Sequence, residues 1–444
     1  MQGMVNELPS YPAVVTSTPY PEMLTPEESK ELSIAAATVF QPRAPISTRE
    51  FFAGRWEQIT TVADAVAQKG LHIVIFGERG VGKTSLANII EPILLVMEES
   101  IRGGPSEEQR LVKKVNTHQG DSFPDMWRRC FDEAYWDADK PIGLLKPETV
   151  HERVTLREAM GISDSPTIDE VRRAITTLKG SVFIFDEFDR GAPELRTSFT
   201  DLIKALSDYA VDSTIVIVGV SETVDTLVSG HASIVRSIVQ VHLPRMNERE
   251  LADILEKAGK KLNIRYSAEA SGLIVRMSQG LPHYTHLIGL HATREAANRL
   301  SRVVETKDVH ACFPKAVNQA LQSTRDRYLK AIHSAQSGAL YRKVILACAI
   351  ASSTEKDALG FFHPANVVSP LSKILSRHNV TIATFQRHMV EFCRESRGGI
   401  LERVGERRSY KYRFRDPLVP SYVFMESVAE KIIELPELDR LTQV

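Results

Sequence analysis

The sequence predicts an α/β chain: a P-loop parallel sheet with helices on both faces, followed by an all-helical lid and a winged helix-turn-helix domain. Three observations predict it. Gly77-Glu78-Arg79-Gly80-Val81-Gly82-Lys83-Thr84 reads G-x-x-x-x-G-K-T between an apolar strand and a helical pattern. Short apolar runs then alternate with helical patterns as far as residue 246, which is the signature of a parallel sheet covered on both faces. Beyond that point the strands stop, and amphipathic helices lead to a basic hairpin.

The 444 residues suffice for two to four domains with real cores. A net charge of -1 makes no case for nucleic acid by itself, so any basic surface must be local. The four cysteines are far apart and form no CxxC pair, which argues against a zinc site or disulfide framework and suits a reducing cytosol. No 18-residue apolar stretch or signal peptide is present, so no membrane partner and a cytoplasmic location are expected.

In chain order, residues 1–40 read as a flexible N-terminal tail rich in proline, with a helix start at Thr25-Pro26. Phe51 to Arg55 lead into an amphipathic helix from Trp56 to Gln68. The strand Leu71 to Phe76 delivers the glycine loop, and Ser85 continues into the next helix. The glycines let backbone N–H groups converge on phosphate oxygens, and the helix N-terminus adds a positive dipole end. Gly77 to Ser85 are therefore the nucleotide-binding candidates, with Lys83 on the β- and γ-phosphates and the Thr84 hydroxyl on Mg²⁺. A second strand is expected over 109–117 and a helix over 125–135, with Trp127 and Phe131 on one face. Residues 136–165 read as an irregular insertion, and a helix follows over 164–178.

Val182-Phe183-Ile184-Phe185 ends in Asp186-Glu187, the acidic strand that accompanies a P-loop. Asp186 is the candidate to hold Mg²⁺, directly or through water, and Glu187 to orient or deprotonate the attacking water. Asp189 reads as a helix cap. A further strand, Ser213 to Val220, ends at Ser221, which either senses the γ-phosphate or caps the helix expected over 222–227. Ile238 to Leu243 is the last strand. Helices are expected over 248–260, 268–278, 283–299, 307–322 and 324–336, then over 340–351, 366–376 and 381–393. A hairpin over 399–414 closes the last unit. The resulting divisions are a tail (1–40), a P-loop core (41–246), a lid (247–322) and a winged-helix domain (323–444). From Arg377 to Arg415 there are ten Lys+Arg against four Asp+Glu, a local net of +6. Arg387, Arg394, Arg407, Arg408 and Lys411 are the candidate DNA contacts, unless the module packs on a protein and its charges are solvated.

The pattern resembles the AAA+ ATPases, and within them the initiator-like branch of origin-recognition and cell-division-control ATPases. The resemblance rests on Gly77 to Thr84, Asp186-Glu187, the strand ending at Ser221, Ser-Ile-x-Arg ending at Arg236, the lid and the winged helix, over residues 40–420. It implies ATP and Mg²⁺ as cofactors and Mg-dependent ATP hydrolysis. It also implies Ser221 as sensor 1 and Arg236 as a finger reaching the γ-phosphate of a neighbouring subunit, hence an ATP-dependent homo-oligomer. Double-stranded DNA is the expected partner. The lid departs from the family pattern: His283 follows Pro282 where an arginine sensor is usual. Two other readings stay open: a signalling or defence ATPase whose winged helix binds a protein partner, and a nucleotide-binding scaffold that hydrolyses nothing.

Overall fold

The computed structural model describes residues 23–46, 53–102, 110–142, 148–221, 224, 227–228, 234, 236–334, 340–357, 359–406 and 409–442. The chain opens with α1 (Pro26–Val39), then α2 (Trp56–Val66), β1 (His72–Gly77), α3 (Lys83–Arg102), β2 (Val112–Asn116) and α4 (Phe123–Asp132). β3 (Tyr135–Ile142), β4 (Glu148–Thr155), α5 (Leu156–Met160), α6 (Ile168–Thr177) and β5 (Ser181–Asp186) follow. α7 (Pro193–Asp208), β6 (Ser213–Val220) and β7 (Ile238–His242) complete the α/β part.

Five strands form one parallel sheet in the order β2-β5-β6-β1-β7. Both faces are buried, so neighbouring residues of one strand serve different cores. Ile73 and Ile75 of β1 join the core with α2, α3 and the later helices, whereas Val74 and Phe76 join the core with α4 and α7. β5 alternates likewise: Val182 and Ile184 on one side, Phe183 and Phe185 on the other. Trp127 of α4 anchors the second core, with ring centroids 4.9 Å from Phe185 and 5.3 Å from Phe183. In register, Asn116 lies beside Asp186 and Gly77 beside Val220, so the strand ends that carry the candidate groups emerge together.

The helical part comprises α8 (Glu248–Leu262), β8 (Arg265–Tyr266), α9 (Ala268–Ser278), α10 (Pro282–Asn298), β9 (Val303–Val304), α11 (Thr306–Gln319) and α12 (Gln322–Ile332). Then come α13 (Tyr341–Thr354), α14 (Pro364–Leu375), α15 (Ile382–Phe392), β10 (Leu401–Val404), β11 (Lys411–Phe414), α16 (Val419–Ala429) and α17 (Leu435–Thr442). β10 and β11 pair antiparallel, and Phe362 adds a bridge to Tyr412. This hairpin follows the three helices α13, α14 and α15. Among the described residues no helix is long and apolar enough to cross a membrane.

Several expectations need correcting. The stretch taken as irregular is an antiparallel hairpin, β3 with β4, running into α5, and its strands pair over eight positions. Residues 26–39 of the expected tail are helical. A capping box starts α1: the Thr25 hydroxyl accepts the Glu28 N–H (3.2 Å), and the Glu28 carboxylate accepts the Thr25 N–H (2.7 Å). Leu32, Ala36 and Val39 are buried, and Ser29 Oγ donates to the Ala297 carbonyl of α10 at 2.7 Å, so α1 is built into the lid. Phe40 fits a notch that Gly289 leaves: a Cβ there would lie 2.7 Å from Phe40 Cε1. Asp189 is not a helix cap: it lies in a single turn of 3₁₀ helix and accepts the Val220 N–H at 2.8 Å, tying the ends of β5 and β6 together. α16, unforeseen, is apolar on nearly every side and accordingly buried. The short helix expected over 222–227 lies mostly outside the described residues.

Candidate functional site

At the C-terminal ends of β1, β5 and β6 lies a cleft of about 650 Å³. Arg79 to Ser85 form its floor, Asp186, Glu187, Asp189 and Arg190 one wall, and Pro282, His283 and His286 of α10 part of the roof. Gly80 and Gly82 take φ of 87° and 98°, a conformation open to glycine at no steric cost, and this curls the loop into the N-terminus of α3. Lys83 Nζ donates to the Gly77 carbonyl (2.9 Å) and the Glu78 carbonyl (2.7 Å), which folds it across the loop. Burial pushes its ammonium down to about 8, against the opposing pull of Asp189, Asp186 and Glu78. Such a buried cation on a glycine loop at a helix N-terminus is suited to a polyphosphate.

The rest of the loop is tied to its surroundings. Ser85 Oγ accepts the Ile46 N–H at 3.1 Å, so it supports the segment after α1 at the cleft's edge. Glu78 turns outward to Arg245, at 2.8 Å. Arg55, buried and left-handed (φ 63°), donates to the Val81 carbonyl at 3.3 Å and to the Pro244 carbonyl, which pins the loop to the end of β7. Ala53 and Arg55 line the cleft, while Phe51 and Phe52 lie outside the described residues.

The acidic pair is held differently at its two members. Asp186 is buried; its Oδ1 accepts the Glu187 N–H (2.8 Å), and its Oδ2 lies 2.9 Å from Lys114 Nζ without a hydrogen-bond partner. Glu187 is left-handed (φ 54°), which for a non-glycine residue costs about 1–3 kcal/mol and marks a site held by its surroundings. Its carboxylate, half-exposed, meets Arg190 at 2.5 Å. A magnesium ion on a nucleotide needs one or two protein groups plus phosphate oxygens. The Thr84 hydroxyl and Asp186, whose Oδ2 accepts no hydrogen bond, border the same cleft and fit that requirement. Lys114 and Arg190 carried no sequence motif. Alternation along β2 indicates that Lys113 and Lys114 point to opposite faces, but only the sheet order shows that Lys114 faces Asp186.

The remaining candidates are more scattered. Ser221 stands just past β6, where Gly219 and Val220 line the cleft. Arg236 is exposed on the turn before β7 and is not among the residues that line the cleft. His283 does line it, and its Nδ1–H donates to the Pro42 carbonyl. Burial lowers its pKa, and its hydrogen bond ties the start of α10 to Pro42 at the cleft's edge.

The C-terminal unit reaches the loop itself. Arg79 lies 3.7 Å from Asp416, a Cβ on Gly80 would lie 3.0 Å from Leu418 Cδ2, and Tyr284 Oη donates to the Leu418 carbonyl at 2.7 Å. Ala383, Thr384, Gln386 and Arg387 of α15, and Thr381 at its N-cap, are exposed. Arg394 is exposed just after the helix, Arg387 pairs with Glu391 (3.0 Å) and Lys411 with Asp357 (2.9 Å). Arg407 and Arg408 lie outside the described residues.

Comparison with known proteins adds the family. No curated protein matches the sequence. Solved structures that match include Orc1 of Aeropyrum pernix in complex with DNA, with 14% identity, a TM-score of 0.45, and 89% of this chain and 97% of that one covered. Another is Aeropyrum pernix ORC2 in ADPNP and ADP complexes, with 14% identity, a TM-score of 0.46, and 90% and 98% covered. The Walker-type ATPase of Pyrococcus abyssi matches with 13% identity, a TM-score of 0.46, and 87% and 99% covered. The model of the family Novel STAND NTPase 1 matches residues 45–359, a span that takes in the glycine loop, the acidic strand end and the helices roofing the cleft. The chain belongs to that family of NTPases.

Proposed function

We propose that the protein is an ATP-hydrolysing switch whose nucleotide state is passed to a C-terminal unit that binds duplex DNA. The observation that carries the reading is the contact of Asp416 and Leu418 with Arg79 and Gly80: whatever fills the loop is felt at the foot of the winged helix. In this reading Gly77 to Ser85 cradle the phosphates, Lys83 leaves the Gly77 and Glu78 carbonyls for phosphate oxygens, and Thr84 and Asp186 hold Mg²⁺. The ion, when bound, neutralises charge on the β- and γ-phosphate oxygens. Glu187 takes up the attacking water's proton once Arg190 releases it. Residues 41–246 act as the ATPase core, 247–322 with α1 as the lid and 323–444 as the winged-helix domain. Arg236, exposed on the core, is suited to reach a neighbouring subunit when ATP drives assembly, and Ser221 to sense the γ-phosphate. The cytoplasm agrees with four free cysteines.

Glu187→Gln is expected to bind ATP as wild type does and to lose turnover at least about a hundredfold, the usual contribution of a positioned base. Turnover that stays at the wild-type level overturns the assignment. For DNA, the exposed face of α15 with Arg387 and Arg394, and the wing with Arg407, Arg408 and Lys411, form the contact. Fluorescence anisotropy with duplex DNA should show salt-dependent binding, weakened in an Arg407→Ala, Arg408→Ala variant and lost as salt rises. No binding at low salt overturns this arm. One observation favours a protein partner instead: Arg387, Arg413 and Arg415 are matched by Glu391, Glu402 and Glu395, and Ile382 is exposed among them. A stoichiometric protein complex without nucleic acid decides for that reading.

A further inference from the structure

The acid assigned to the metal already has a cation. Lys114 stands on β2, the edge strand beside β5, and the pleat sends it to the side opposite Lys113, which pairs with Glu133 at 3.0 Å. Its Nζ lies 2.9 Å from Asp186 Oδ2 and donates to Asn88 Oδ1 at 2.6 Å. Asn88, one turn along α3 from Thr84, in turn donates to the Ile46 carbonyl at 3.4 Å. The Lys114 side chain is 22% exposed and that of Asp186 3%. Lys83, by contrast, is folded onto loop carbonyls. A chain of contacts thus runs from Ile46 through α3 and β2 to the buried carboxylate.

We propose that Lys114 is the resident counter-ion of Asp186, neutralising it in the empty cleft and competing with Mg²⁺ for it, so that metal is taken up together with nucleotide. The physical argument is electrostatic. A buried carboxylate with no countercharge is costly, so a lysine at ion-pair distance stabilises the empty cleft. The same positive charge repels a divalent ion arriving beside Asp186. Phosphate oxygens supply the further ligands that tip the competition, which couples metal uptake to nucleotide. Asn88 keeps Lys114 in place through the exchange by accepting from its ammonium group.

This inference rests on Asp186 being the metal acid, and the experiment separates the two claims. The full chain is titrated with Mg²⁺ in the presence of a fluorescent, non-hydrolysable ATP analogue, and the Mg²⁺ midpoint for analogue binding is read. Lys114→Met is expected to lower that midpoint about tenfold, from removal of one charge near the ion at intermediate dielectric. Lys114→Arg, which keeps the charge, should stay close to wild type. Asp186→Asn should raise the midpoint, because a ligand to the ion is lost, and Lys114→Met should still lower it in that background through the lost repulsion. A midpoint unchanged or raised in Lys114→Met, while Asp186→Asn still raises it, overturns the lysine's role and leaves the metal acid standing. An Asp186→Asn midpoint equal to wild type overturns the metal assignment itself. If Lys114→Met fails to fold, Lys114→Gln carries the same comparison.

Discussion

At the scale of single residues, His72 shows how burial writes a pH dependence into stability. It sits inside β1, and its Nδ1 accepts the Ile215 N–H at 3.0 Å. Burial pushes it from 6.5 down to about 3. The folded protein keeps it neutral where the unfolded chain takes a proton, so this contribution is intact above pH 6.5 and is lost as pH falls below it. The loss runs at about 1.4 kcal/mol per pH unit. His72→Gln keeps an acceptor for Ile215 and cannot titrate. Its urea midpoint between pH 6.5 and pH 4 should fall less steeply than that of wild type, and identical slopes would assign the loss to other groups. In the cleft, burial acts on Lys83 in the same direction, but the nearby acids oppose it, and the ammonium is weakened to about 8 without being neutralised at pH 7.

At the scale of elements, the second core depends on α4. Trp127 is fully buried and touches Phe131, Phe183, Phe185 and Phe199. Trp127→Ala should cost about 3–5 kcal/mol, read by chemical denaturation, because so large a cavity cannot collapse between a sheet and two helices. A loss under about 1 kcal/mol would mean that the aromatic cluster repacks. The strand pattern made this core legible in advance: Phe183 and Phe185 alternate with Val182 and Ile184. The hairpin of β3 and β4 was not legible, because its alternation is weak and its sequence mixes charge with proline. α1 was legible only at its start, where Thr25, Pro26 and Glu28 announce a cap. That it roofs α10 follows from Phe40 meeting Gly289, some 250 positions away.

At the scale of the molecule, the chain returns to its own glycine loop. After the hairpin, Asp416 and Leu418 settle on Arg79 and Gly80, and α16 then runs buried against α9, α11 and α13. A double variant, Asp416→Ala with Leu418→Ala, should raise amide hydrogen exchange in residues 77–82 while leaving β5 and β6 unchanged. The local opening it causes belongs to the loop and not to the sheet. Exchange equal to wild type in 77–82 would show that the contact does not restrain the loop. The Arg79–Asp416 pair is half exposed on the arginine side, so the apolar seat of Leu418 is expected to carry most of the effect.

By itself the sequence determined the glycine loop, the acidic strand end, the parallel sheet and nearly every helix of the second half. Those are local properties: glycine dihedrals, runs of β-branched residues and helical periodicity act over about ten residues. Only the tertiary structure decided which side chains share the cleft. It brought Lys114 to Asp186 and Asp416 to Arg79, and left Ser221 and Arg236 outside the lining. Strand order and the docking of distant segments settle such pairings, and these depend on how buried faces match across the whole chain, which no local pattern encodes.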